Sequence, residues 1–78
     1  MKKRTLKKLE HHKKYTLTHE GHVWKIDFAI WSDGERSVMR VYRIEGDINK
    51  REILYEALQL EAAARGLHYH LVTEETHN

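Results

Sequence analysis

A chain of 78 residues with 33% charged side chains, no proline and no cysteine makes one domain at most, and excludes a disulfide framework and any thiolate metal site. No apolar run approaches the roughly 20 residues that span a bilayer. The basic start, "MKKRTLKKLEHHKK", has no apolar stretch of the kind a secretory signal needs, so a cytoplasmic (intracellular) protein without a membrane partner is expected.

A chain this short buries only a modest core, which makes a homodimer a reasonable expectation. The net charge of +2 conceals an asymmetry. Within residues 1–14, Lys2, Lys3, Arg4, Lys7, Lys8, Lys13 and Lys14 stand against Glu10 alone, a net of +6 that leaves −4 for the rest of the chain. Clustered lysine and arginine is what holds phosphate, so a polyanion partner is one reading. A solubilising terminal segment is the other.

In chain order, residues 1–14 are expected as a basic arm or a short helix, the helix running from Thr5 to Lys14 with Thr5 as N-cap and Leu6 and Leu9 on one face. Residues 15–78 are expected to form a single domain. "YTLT" (Tyr15–Thr18) is a first strand, and His19–His22 a turn. From Val23 to Trp31, Trp24, Ile26, Phe28 and Ile30 alternate on one face against Lys25, Asp27 and Ala29 on the other, the signature of a half-buried strand. "SDGE" (Ser32–Glu35) carries Asp-Gly between two alternating runs, a hairpin signal. Arg36 to Ile44 is the returning strand. Its apolar residues Val38, Met39, Val41, Tyr42 and Ile44 head for a core, while Arg40 and Arg43, three apart, fall one on each face of a regular strand.

A helix is predicted over Asn49–Arg65. Asn49 and Glu52 have capping-box spacing, and Ile48 and Ile53 occupy the two staple positions. Ile53, Leu54, Ala57, Leu58 and Leu60 make its apolar face, Arg65 suits the negative end of the dipole, and Gly66 the C′ position. Lys50, Arg51, Glu52, Glu56 and Glu61 read as a solvated face. Leu67 to Val72 is a last strand, with Leu67, Tyr69 and Leu71 facing one way; "TEETHN" reads as a frayed end. The order is (α)–β–β–β–α–β. A right-handed crossover then makes the fourth strand parallel to the third, giving an α+β fold: a four-stranded mixed sheet with one main helix packed on it.

This order and these punctuation points resemble the core of the restriction-endonuclease-like (PD-(D/E)XK) fold. Within it, "GHVWKIDFAIWSDGERSVMRVYR" and "LEAAARGLHYHLVTEE" resemble segments of the TnsA-type transposon endonuclease domain, over about residues 10–75. The resemblance implies acidic side chains that hold Mg²⁺ at a scissile phosphate and a lysine that polarises water. Carried over, Asp27 matches the motif aspartate, with Ile26 in place of proline, and Glu10 matches the acidic residue of the first helix. The second half of the motif is missing. Val41 stands where the second acid belongs, and Arg43 stands where the lysine does; a shift by one offers Arg40 and Tyr42, and Glu45 lies past the expected position. Arginine keeps the charge but its pKa is too high for a base. Glu10 and Asp27 are then a vestigial site with no catalytic residues, and Asp27 is expected to pair with Arg40 or Arg43 across the hairpin, since an unpaired buried charge costs several kcal/mol.

Other constellations are weaker. His19 with His22, and His68 with His70, have spacings that can ligate Zn²⁺ or Ni²⁺, but each pair lacks a demonstrable second pair, so no metal and no cofactor is expected. Trp24 shares the parity of the core. Trp31 has the opposite parity and is expected as an exposed contact, to a protein partner or to a base.

The sequence therefore favours a small non-enzymatic nucleic-acid-associated protein, a catalytically silent relative of a nuclease fold. It would bind DNA rather than RNA through Lys2 to Lys14, extended by Arg36, Arg40 and Arg43. Small chains of this composition are also associated with phages and mobile elements, though no physical argument carries that. One alternative is a protein-binding module, an inhibitor or regulator docking by its sheet edge or Trp31. A second is a Mg²⁺-dependent nuclease whose site is completed by a partner.

Overall fold

The computed structural model describes residues 5–47 and 49–72. Four strands and one helix follow as β1 (Lys7–His19), β2 (His22–Ser32), β3 (Ser37–Gly46), α1 (Arg51–Ala64) and β4 (His68–Leu71). The strands form one mixed sheet in the order β1-β2-β3-β4, antiparallel except for the parallel β3–β4 pair. The α+β class, the element order and the single helix inside the crossover are those expected.

The alternation in β2 carries the core. Trp24, Ile26, Phe28 and Ile30 all turn to one face, where they meet Leu17 of β1, Met39 and Val41 of β3, and Leu54, Ala57, Leu58 and Ala62 of α1. Trp24 is fully buried, as its parity implies, and its indole Nε1 donates to the Asp47 carbonyl at 2.9 Å, so the ring enters the core with its one polar atom satisfied.

The short helix expected over Thr5–Lys14 does not form. Residues 7–14 instead lengthen β1 and pair with the far half of β2, from Lys7 opposite Ser32 to His12 opposite Phe28. Two leucines do not give a helix enough apolar face to hold it on the core, whereas the backbone of an 11-residue β2 needs a partner along its length. The strand absorbs its irregular sequence through bulges between Lys8 and Glu10 and between His12 and Tyr15, with Lys14 at φ 55°.

The β1–β2 turn has positive φ at both Glu20 (51°) and Gly21 (81°), the geometry that matches a tight hairpin to the strand twist. The β2–β3 connection is longer than a two-residue Asp-Gly turn. Asp33 to Arg36 form the loop, closed by Asp33 N–H to the Arg36 carbonyl (3.1 Å), with the Asp33 carboxylate accepting from the N–H of Glu35 (2.9 Å) and Arg36 (2.8 Å).

The helix begins at Arg51 with Lys50 as N-cap and no side-chain cap, so Asn49 does not play the capping role its spacing suggested. The Asp47 carboxylate takes the Asn49 N–H instead, at 3.1 Å. Ile48, the other half of the expected staple, lies outside the described residues, as does the segment 73–78. The apolar face is also shifted. Leu60 is 53% exposed, while Ala62, not expected in the core, is buried. Leu54, Leu58 and Ala62 recur every four residues; Leu60, two after Leu58, falls about 200° round the helix. The C-terminus closes as the glycine implied: Leu67 N–H bonds Ala62 O (2.8 Å) and Gly66 N–H bonds Ala63 O (2.9 Å), with Gly66 at φ 73°.

Helix and β1 are clasped by polar contacts at the edge of the core. Tyr15 donates to Glu61 at 2.7 Å; Glu61 also takes Arg65 Nε (3.2 Å) and Nη2 (3.1 Å); and the Arg65 guanidinium lies over the Phe28 ring at 5.2 Å. Burial works against the Arg65 charge, but Tyr15 and Glu61 outweigh it and its pKa is raised, so the guanidinium stays charged.

Candidate functional site

With α1 on one face of the sheet, the residues of opposite parity have no helix over them. By register these are Lys8, His11, Thr16 and Thr18 of β1, Val23, Lys25, Asp27, Ala29 and Trp31 of β2, and Val38, Arg40, Arg43 and Glu45 of β3; His68 and His70 of β4 join them beside Val38 and Arg40. Arg40 and Arg43 therefore lie on the same face, not one on each. The bulge in β3 causes this: Phe28 pairs with Val41 and Asp27 with Arg43, so Tyr42 is an extra residue that returns Arg43 to the side of Arg40.

Near the β2–β3 end of this open face lies Trp31. It is half-buried rather than freely exposed, because its Nε1 donates to the Tyr42 hydroxyl at 2.8 Å. That bond fixes the indole across the sheet, where neighbouring Ala29 is wholly covered. Two cations gather on the ring: the Arg40 guanidinium at 4.8 Å and the Lys8 ammonium at 5.6 Å from its centroid. His11 adds a third ring, 6.2 Å from Tyr42. Among the described residues, no ion pair joins Lys8, Lys25 or Arg40 to a carboxylate; Lys25 donates to the Thr16 hydroxyl at 2.7 Å.

The acidic residues of the expected vestigial centre are not brought together. Glu10 pairs by register with Ile30 and turns to the helix side, where it accepts from His12 at 2.9 Å. Asp27 turns to the open face, but its Oδ1 accepts the Lys14 backbone N–H at 2.9 Å across the β1 bulge. The expected Asp27 ion pair with Arg40 or Arg43 is not made, although Arg43 stands directly opposite. Arg43 goes to Glu45 at 2.6 Å, and Arg40 to the indole. Val41, at the position of the second motif acid, is buried on the helix side.

The remaining residues singled out from the sequence are scattered. Arg36 sits in the β2–β3 loop, 3.7 Å from Asp33, and does not extend the basic face. Lys7 pairs with Ser32, Lys13 and Lys14 lie in the bulge opposite Asp27, and Lys2, Lys3 and Arg4 lie outside the described residues. His19 and His22 part company: His22 stacks on Trp24 at 5.8 Å, while His19 Nε2 lies 3.6 Å from both Glu20 and Glu56. Those three side chains could hold a cation, but the contact also reads as a tie between the β1–β2 turn and α1. The members that sequence reasoning missed are Tyr42, hidden by the bulge, Lys25, whose parity with Asp27 was visible, and His11, hidden by the helix expected there.

No family model, no curated protein and no solved structure matches the chain. The functional reading therefore rests on the geometry of the open face.

Proposed function

We propose that this chain is a small non-enzymatic nucleic-acid-binding protein, whose phosphate contacts lie on the open face of the sheet and on the basic stretch that opens β1. The observation that carries the reading is the cluster at Trp31, where Lys8 and Arg40 are held on one indole without a carboxylate partner among the described residues. Two like charges drawn to the same ring repel each other, and an anion placed between them removes that repulsion. The charge of the molecule is divided in the same sense. By register the open face holds Lys8, Lys25, Arg40 and Arg43 against Asp27 and Glu45, a net of +2, while α1 on the other side holds Arg51 against Glu52, Glu56 and Glu61, a net of −2.

Descent from a nuclease fold whose acidic centre has been lost is part of the same proposal and rests on the sequence resemblance alone. The nuclease reading has less support: Asp27 is engaged by a backbone N–H, Glu45 by Arg43, and Glu10 lies across the sheet.

The test is a titration of the whole chain against duplex and single-stranded DNA at low and moderate salt. Expected is an affinity that falls steeply with salt. The charge-reversing pair Lys8→Glu and Arg40→Glu should weaken it and lower the slope of log K against log salt by about 1 for each phosphate no longer neutralised. Deletion of residues 1–14 is a poor substitute, because residues 7–14 are more than half of the 13-residue β1. Absence of binding to any nucleic acid at low salt would overturn the proposal and leave the protein-binding reading.

A further inference from the structure

Resting on the nucleic-acid reading above, we infer that the open face takes a single strand rather than a duplex, with a base stacked on Trp31 and its flanking phosphates on Arg40 and Lys8. The shape of the surface decides between the two. Four strands side by side are about 14 Å from first to last axis, before side chains are added. A slab of that width cannot enter a major groove about 12 Å wide, and still less a minor groove about 6 Å wide.

The narrow projections of the molecule have the wrong charge for a groove. Among the described residues, the narrow β1–β2 tip carries Glu20, an anion where a groove binder needs a cation. The outer side of α1 presents Glu52 and Glu56. A duplex could touch the basic face only along its phosphate ridges. A single strand can lie flat on it, turn its bases toward the rings and run its phosphates past the cations, which is the arrangement that sheet surfaces with aromatic and basic side chains permit.

The cluster is organised for that exchange. The Tyr42 hydroxyl holds the indole in one orientation, so little ordering remains when a base arrives. Arg40 and Lys8 stay close to the ring in the free protein. A base that stacks on the indole brings its own phosphate within reach of both, so a guanidinium that leaves the ring finds an ionised partner there. Base stacking on an aromatic side chain is the stronger of the two contacts at a solvent-facing site.

The two tryptophans make the test direct. Trp24 is wholly buried and its Nε1 is bonded inside the fold, so emission that changes on binding reports Trp31. The whole chain is titrated with a twelve-nucleotide oligothymidylate and, separately, with the duplex it forms with oligodeoxyadenylate. Expected is quenching by the single strand with the higher affinity, and weaker binding by the duplex with little quenching. Trp31→Ala should weaken single-strand binding about tenfold or more and leave duplex binding nearly unchanged, while Trp31→Phe, which keeps a ring, should retain most of it. The phenylalanine variant and the wild-type quenching decide the matter even if Trp31→Ala fails to fold. Duplex binding as tight as single-strand binding, without quenching, would overturn this inference and leave the function proposed above standing. Binding of neither would overturn both.

Discussion

Gly46 is the position where one added methyl group should do most damage. It sits at φ 139°, and a Cβ built there would lie 2.7 Å from Trp24 Cδ1, 3.0 Å from the Val23 carbonyl oxygen and 3.2 Å from Trp24 Cα. The indole cannot swing away cheaply, because it is fully buried and its Nε1 is bonded to the Asp47 carbonyl, one residue beyond the glycine. Two costs then add for Gly46→Ala. The backbone conformation costs a residue with a Cβ about 1–3 kcal/mol, and overpacking against a rigid neighbour costs about 1–3 kcal/mol. Stability of roughly 0.05–0.15 kcal/mol per residue makes a combined loss of about 2–6 kcal/mol enough to unfold much of the population. Gly66→Ala is the control, since Gly66 also has positive φ, 73°, but nothing within 4 Å of the added carbon. It should lose only the conformational part, about 1–2 kcal/mol. Urea unfolding followed by far-ultraviolet circular dichroism gives both losses from the shift in midpoint at constant slope. In melting temperature the difference appears as about 4–8 °C per kcal/mol. Equal losses in the two variants would mean that the β3 terminus does not pass against Trp24, and that the indole is not locked as described.

Two further substitutions probe the β1 bulge and the β4 edge. Lys14→Gly should raise stability by about 0.5–1 kcal/mol in thermal melts, because φ 55° strains any residue with a Cβ while the N–H bond to Asp27 survives; a decrease would show that the lysine side chain holds the bulge. Burial, and to a lesser degree Tyr55, raise the pKa of Tyr69 above the usual tyrosine value of 10.0. The folded state then keeps its phenolic proton where the unfolded chain has lost it. This contribution to stability is complete below the ordinary tyrosine value and is lost as pH rises from there through the raised folded value. Tyr69→Phe should flatten that alkaline decline in urea midpoints measured between about pH 9 and pH 11, and an unchanged decline would remove Tyr69 as its cause.

Much of the fold was legible because it depends on periodicity that local chemistry reinforces. Trp24, Ile26, Phe28 and Ile30 alternate without interruption, and each is buried. The start of the main helix was less clear: the residue at the capping position, Asn49, gave its backbone N–H to Asp47 instead of its side chain to the helix. Its end was plain, since Gly66 supplies the positive φ that closes the last turn. The first strand was half missed for a reason that no local signal corrects. "KKLEHHKK" has neither helical nor strand periodicity, and it is extended because β2 offers a ladder to it. Leu9, counted toward a helical face, is 63% exposed at a bulge.

The site was misread by the same mechanism, which connects the bulges to function. In a regular strand, residues three apart point to opposite faces, and Arg40 and Arg43 would each have needed a separate partner. One inserted residue, Tyr42, changes that: Arg43 returns to the face of Arg40, and the inserted side chain supplies the hydroxyl that orients Trp31. The β1 bulge acts on the opposite charge. It leaves the Lys14 N–H without a ladder partner, and Asp27 fills that vacancy. A carboxylate committed to a backbone donor is less available to neutralise its neighbours, so Arg43 is left to Glu45 and Arg40 to the indole. Irregularities on each side of β2 thus gather the cations on one face and tie down the acid that lies among them. Without the β3 bulge Arg43 would turn to the helix side opposite Ile26 and Ile44 would leave the core, so the one inserted residue serves the core and the open face together.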